Sequence, residues 1–459
     1  MGIVIVVNLA AIDQLLILAY FVLTFWLGFG KKNKQESAEN FLVAGRRVTL
    51  PAFVASMVST WYGGILGVGE FTYLYGISNW LVFGVPYYLC AIIFAVFIAK
   101  VARRSGHYTI PDQLEKAYGS RARTAGAFFI FILALPAPYL LMLGILLHLF
   151  LPIPVWAGIL FAAGFSFLYI FRGGLQAVIR TDILQFILMF SGFIVLVATA
   201  WWNYGGITFL QENLPARHLT WHGGNSLQYI LVWYVIAMAT LVDANFYQRC
   251  FAAESEKTAR WGIFISILFW VFFDFLTTTA GLYARVLLPQ LSDPTHSFPQ
   301  LAVTLLPTIL QGLFFVALLA TIMSTLDSFG FVSAVTIGRD FLWRLRGGKD
   351  DRLNHYTRLG LLITFAISIV IALLSSSIIT IWYQLGSVAT PALLLPLLTS
   401  FSAKWKMSPT AAFINIVAAG GISALWLSLS WLTGQLPLRI EAIFPGLVLS
   451  VIIYIFRMR

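Results

Sequence analysis

The chain has 459 residues, of which 60% are hydrophobic and 10% charged. A soluble protein of this length carries about a quarter of its residues as charges, so a water-soluble globular fold is excluded and lipid is the solvent for most of the chain. The net charge of +11 is not the footprint of a nucleic-acid binder, because the basic residues sit in short loops between apolar runs.

Two cysteines, Cys90 and Cys250, exclude a disulfide framework. The start, Met1 to Leu9, has no basic n-region and no small-residue cleavage site, so no removable signal peptide is expected. A membrane span needs roughly 20 apolar residues. Thirteen candidates follow, centred near residues 20, 60, 90, 135, 160, 190, 235, 270, 315, 365, 390, 420 and 447. The longest polar stretches, Lys100–Arg123, Trp202–Asn225 and Arg339–Arg358, read as loops with room for a short surface helix. The fold class is an all-α polytopic bundle.

Thirteen spans put the termini on opposite sides. One set of alternate loops holds 26 of the 29 basic residues; the other holds Arg217, Arg285 and Arg439. Cytoplasmic loops carry the excess of Lys and Arg, which predicts an external N-terminus and a cytoplasmic C-terminus. Residues 1–47 then form an additional helix and loop, 48–202 a block of five helices, and 203–226 an external loop. Residues 227–402 form a second block of five, and 403–459 two further helices. An odd number of helices per block makes two copies run in opposite senses, the inverted-repeat plan of secondary transporters.

The second span is rich in glycine: Gly63, Gly64, Gly67 and Gly69. Glycine weakens a helix, and a broken helix frees carbonyls that can bind a cation. The same glycines equally suit close helix packing. Five acids fall at membrane depth: Glu70, Asp182, Asp243, Asp274 and Asp327. Each is costly there and tends to face a watery path or a partner. The ninth span carries Ser324, Thr325, Asp327 and Ser328 within five residues. Ser324, Asp327 and Ser328 lie at i, i+3 and i+4 and are expected on one face. Oxygen ligands of this kind suit a hard cation such as sodium, although hydroxyls can also bond back to their own helix.

These residues sit in a wider pattern: ENFLVAGRR (39–47), GGLQAVIRTDILQ (173–185), NFYQRCFAAES (245–255) and ATIMSTLDS (320–328). In this order and spacing the chain resembles the sodium:solute symporter family. The resemblance implies a LeuT-like fold of two inverted five-helix repeats in the cell membrane, with Na+ and a small solute at the midplane between broken helices. Carried over residue by residue, it implies a sodium ion held by the carbonyls of Ala55, Val58 and Thr321 and the hydroxyls of Ser324 and Thr325. Asp182, with Asp327 and Ser328, implies a second sodium site or ion path. The solute is expected among Tyr62, Gly63, Asn79, Asp243, Tyr383 and Gln384. The break in the seventh span rests on the resemblance, since that span lacks glycine or proline.

Two departures bear on these expectations. Arg180 stands where an aromatic is usual and is close enough in sequence to pair with Asp182. Met57 stands where the proline carriers have aspartate, which argues against proline. The histidines are scattered, and no nucleophile motif or acid pair has useful spacing, so an enzyme is not expected. The function read from the sequence is sodium-coupled uptake of a small polar organic solute. The alternatives are a sodium-binding solute sensor or a proton-coupled carrier on the same scaffold.

Overall fold

The computed structural model describes residues 9–30, 37–347, 352–375 and 377–457. Lys31, Lys32, Lys34, Lys349 and Arg459, which enter the loop-charge asymmetry, lie outside the described residues, as do residues 1–8.

The spans are α1 (Ala11–Phe29), α2 (Leu50–Trp61), α3 (Ile65–Tyr75), α4 (Trp80–Ser105), α5 (Ser120–Phe150), α6 (Val155–Tyr204) and α7 (Leu227–Ala252). They continue as α8 (Glu256–Leu287), α9 (Leu310–Trp343), α10 (Leu353–Leu374), α11 (Ile378–Ser400), α12 (Pro409–Thr433) and α13 (Ile443–Arg457). By length and apolarity the described residues contain 10 membrane-crossing helices, or 11 when α2 and α3 count as one bent span. The expectation of thirteen requires α6 to count as two and the shorter α13 as one.

A straight helix of the 50 residues in α6 would be about 75 Å long, far beyond a hydrocarbon core of about 30 Å. It is a hairpin. Phe21 of α1 packs on Phe165 with ring centroids 5.1 Å apart, and the neighbouring Tyr20 accepts a hydrogen bond of 3.2 Å from Gln185. Residues 165 and 185 would stand about 30 Å apart on one rod. The two arms meet at Gly174, whose φ of 55° lies in the left-handed region. A Cβ there would strike the backbone carbonyl of Phe41, so only glycine fits.

Two spans are broken at mid-depth. α2 and α3 meet at 58° across Tyr62 to Gly64. The glycines there serve both readings of the sequence: Gly63 lies against the side chain of Thr325 and Gly64 against the ring of Trp382, with no room for a Cβ at either. α7 tightens into a 3-10 turn over Ala237–Val242 and becomes extended at Asp243 (φ −67°, ψ 116°) before resuming as Ala244–Ala252. No glycine or proline is needed, because the Asp243 carboxylate accepts the Asn245 N–H at 2.8 Å and caps the second half.

α9 lies at the centre of the bundle, with 94% of its most apolar stretch buried. On the cation-rich face, two of the sequence blocks meet. The Arg46 guanidinium donates to the carbonyls of Gly106 (2.7 Å) and Phe251 (3.1 Å), and Arg103 donates to Ala253 O at 2.5 Å. Val48 pairs with the strand-like backbone at Ala252 and Glu254. Two residues counted as loop cations are inside the bundle instead: Arg249 is 1% exposed and Arg339 6%. Each is buried because carboxylates are buried beside it.

Candidate functional site

The helix break in α2 and the hydroxyl cluster of α9 face each other. Thr325 Oγ1 donates to the Thr60 carbonyl at 2.8 Å, one residue before α2 ends. Ser324 Oγ lies 2.9 Å from Ser59 Oγ and 2.6 Å from Asp182 Oδ1. Ser59 Oγ in turn donates to the Ala55 carbonyl at 2.9 Å. Ala55, Val58, Thr321, Ser324 and Thr325 are all buried. α2 and α9 are thus brought into contact around oxygen atoms alone, a donor set that suits a hard monovalent cation better than a soft one. Thr321 turns its own hydroxyl back to Ala317 O at 2.7 Å, and its carbonyl accepts from Thr325 Oγ1 at 3.4 Å.

Asp182 has a cationic partner, but it is not Arg180. Arg180 is exposed on the outside of α6 and reaches Gly30. The partner is Arg249, on the second half of α7, with Nη2 3.4 Å from Asp182 Oδ2. The same guanidinium donates to Ser328 Oγ (2.5 Å), Thr60 Oγ1 (3.0 Å), Ser56 Oγ (3.2 Å) and Asn245 Oδ1 (3.1 Å). Ser56 also donates to Asp182 at 2.5 Å. One side chain therefore ties α2, α6, α7 and α9 together directly under the oxygen cluster. Sequence reasoning missed it, because Arg249 closes the seventh span and reads as a loop cation.

The expected grouping of Asp182, Asp327 and Ser328 is not what the structure forms. Ser328 turns to Arg249 and Thr60, whereas the Asp327 carboxylate accepts from the Tyr169 hydroxyl on the first arm of α6. Neighbouring residues on a helix point about 100° apart, so Asp327 turns to Tyr169 while Ser328 turns to Arg249 and Thr60.

Above the break lies a cavity of about 860 Å³ that runs from Thr60 and Asp243 to the mouth at Glu70, Ser226 and Arg439. Tyr62, Asp243 and Tyr383 line it, and so does Asp274. Tyr62 is anchored by its hydroxyl to Trp270 O at 2.9 Å. The Tyr383 hydroxyl is committed to Glu441. Gly63, Asn79 and Gln384 do not line the cavity: Gly63 is behind it against Thr325, and Asn79 Nδ2 donates to Thr278 Oγ1 at 3.0 Å. The sequence did not single out Trp61, Tyr87, Tyr139 and Trp382, which wall the lower part. The rings of Trp61 and Tyr87 are 5.5 Å apart, and Tyr139 stands 6.0 Å from Trp382 and close to Asp243. Aromatics spaced along different apolar helices give no signal that separates a wall from a core.

The sodium:solute symporter family model matches residues 41–416. The chain is 26% identical over 347 residues to the sodium/glucose cotransporter of Vibrio parahaemolyticus, covering 66% of this chain and 63% of that one. It is 25% identical over 370 residues to the sodium/pantothenate symporter of Escherichia coli K12, covering 77% and 71%. It is 27% identical over 205 residues to the high-affinity choline transporter 1 of Drosophila melanogaster, covering 43% and 33%. The matched stretches span 63%, 71% and 33% of the length of these three relatives. Among solved structures, a Na+-coupled sialic acid symporter in a substrate-bound outward-open state superposes with a TM-score of 0.78 at 17% identity, covering 98% of this chain and 97% of that one. MhsT, solved with L-phenylalanine, gives 0.57 at 14% identity over 88% and 98%. The fold is that of these transporters, and the chain belongs to the sodium:solute symporter family.

Proposed function

We propose that this protein is a sodium-coupled symporter whose solute is a small organic cation. The inward gradient of sodium drives the cycle, with the ion held by the carbonyls of Ala55, Val58 and Thr321 and the hydroxyls of Ser324 and Thr325. The family supports sodium coupling, and the relatives of known name carry small solutes with sodium. The cation-rich face is taken as cytoplasmic, which makes the cavity mouth external and places the N-terminus outside. Residues 48–202 and 227–402 are taken as the two inverted repeats.

The observation that carries the solute reading is the charge of the cavity. Its described lining holds four acids, Glu70, Asp243, Asp274 and Glu441, and one base, Arg439 at the mouth. The lower part has no base at all, and Asp243 stands there among Trp61, Tyr87, Tyr139 and Trp382. Aromatic faces attract a cation by about 0.5–2 kcal/mol each, and a carboxylate supplies the counter-charge. Arg249, the nearest cation, is already paired with Asp182, so a neutral sugar would add no counter-charge on the cavity side of Asp243, and an anion would be repelled by it. The likeness to a choline transporter is consistent with this. A sensor would bind the same solute without moving it.

The test is uptake of radiolabelled choline into proteoliposomes, with sodium or potassium outside, alongside its neutral isostere 3,3-dimethylbutan-1-ol. Choline should accumulate with sodium, and the isostere should not compete. Asp243→Asn, which keeps the helix cap, should remove the preference. Equal competition by the isostere would overturn the cationic solute, and uptake unchanged in potassium would overturn sodium coupling.

A further inference from the structure

We infer that a phospholipid with an anionic headgroup binds in a groove between α5 and α12, with its headgroup at Arg121. The groove has a volume of about 780 Å³. Phe128, Phe129 and Ile132 of α5 and Phe413 and Val417 of α12 wall it. Its room comes from small residues on α12. Gly420 lets the Phe129 ring press against the α12 backbone, and Gly421 faces open space, since a Cβ there would meet nothing within 4 Å. Along α5 the lining runs from Ser120 to Ile132, about 18 Å, close to half of a hydrocarbon core of about 30 Å. The groove is thus as deep as one leaflet. It starts at the cation-rich face, where exposed Trp405 stands under Lys404 just before α12, a residue type that marks the membrane surface.

The chemistry of the groove changes along its length. The deep part is apolar, and the surface end carries Ser120, Arg121, Arg123 and Thr124, with no acid in the described lining. The acids nearby are already matched: Asp112, Glu115 and Asp340 pair with Arg123, Arg339 and Arg344, three carboxylates with three guanidinium groups. Arg121 is left over. It is exposed and forms no ion pair among the described residues. Lys406 stands over the Tyr118 ring at 5.8 Å and brings a second cation to the same end. The first turn of α5 holds no acid and has no side-chain cap, so its free N–H groups favour an anion there as well. A zwitterionic lipid fills the apolar part equally well but leaves the cations unmatched. Only a headgroup of net negative charge answers both ends of the groove, as at other basic pockets between membrane helices.

The test is lipid binding. Delipidated protein in detergent is titrated with phosphatidylglycerol and with phosphatidylcholine of the same acyl chains, and bound lipid is counted by native mass spectrometry. The wild type should prefer phosphatidylglycerol, and Arg121→Gln should weaken that preference by about fivefold. Gly421→Leu, which fills the groove, should lose both lipids alike. Should it not insert, Ala424→Leu fills the same groove. Lys257→Gln, which removes an exposed cation at the start of α8, should bind as the wild type does. Phosphatidylcholine held as tightly as phosphatidylglycerol by the wild type would overturn the proposal. So would an equal loss in Lys257→Gln and Arg121→Gln, or a lipid-free dimer that Gly421→Leu dissociates, since a second copy would then cover the groove. The outcome is independent of sodium and of the cationic-solute reading.

Discussion

Arg249 and Asp182 form an ion pair at 3.4 Å in which both side chains are almost wholly buried, at 1% and 0% exposure. The pair joins the second half of α7 to the second arm of α6, and Ser56, Thr60 and Ser328 complete the shell around the guanidinium. Asp182 is shared, because its other oxygen accepts from Ser324 in the oxygen cluster above. An ion bound at Ser324, as proposed, would act on the same carboxylate that pairs with Arg249.

Breaking a buried pair by removing one member costs about 3–5 kcal/mol, whereas replacing both costs far less. Asp182→Asn and Arg249→Met should each lower the unfolding temperature of the detergent-solubilised protein markedly. The double variant Asp182→Leu/Arg249→Met should regain most of that loss and still fail to transport. Equal melting of the two single variants and the wild type would show that the pair contributes nothing to closure.

Ser324→Ala with Thr325→Ala removes two oxygens from the contact between α2 and α9. The sodium concentration for half-maximal transport should rise by about tenfold, the effect of about 1.4 kcal/mol, while membrane insertion stays intact. Sodium activation curves of wild type and double variant that superpose would remove the assignment of these hydroxyls.

Gly63→Ala would place a methyl group where the Thr325 side chain stands. The backbone break and the Thr325 contact to Thr60 cannot both survive, so sodium activation should weaken by about tenfold as well, an overpacking cost of about 1–3 kcal/mol. Gly164→Ala, which meets nothing within 4 Å, serves as the control and should transport normally.

Asp112 lies on the short helix Ile110–Tyr118, outside the membrane spans, and bonds Arg339 at 2.8 Å and Arg344 at 2.7 Å. Burial pushes its carboxyl group up, but the two guanidinium groups more than offset this and hold it below the usual range. A depressed carboxylate binds fewer protons folded than unfolded. Its contribution is complete above the ordinary value of about 4 and is lost as pH falls through the folded value. Thermal melts should show the wild type losing stability below about pH 4. Asp112→Asn should be less stable at pH 7, and its deficit should shrink in acid. A deficit that does not change with pH would mean that the charge is not the source.

By itself the sequence determined the solvent, the run of apolar spans and the chemistry of the ninth span, because each is a local property. Twenty apolar residues in a row, glycines crowded at 63–69, and four oxygen-bearing residues at 324–328 carry their meaning without neighbours. The break at Tyr62–Gly64 followed from the glycines, whereas the meeting of Ser324 and Thr325 with α2 was implied only by the family resemblance. What the tertiary structure decided was partnership. Arg249 and Asp182 are 67 residues apart in the chain, so no local pattern could show that Arg249, and not the nearby Arg180, stands against Asp182. Asp327 and Ser328 are neighbours in sequence yet face different helices, since one step of an α-helix turns a side chain by about 100°. Asn79 and Gln384 are polar residues on spans beside the cavity, but the rotation of those helices keeps both out of its lining. Composition sets what must be buried; only packing sets what is buried against what.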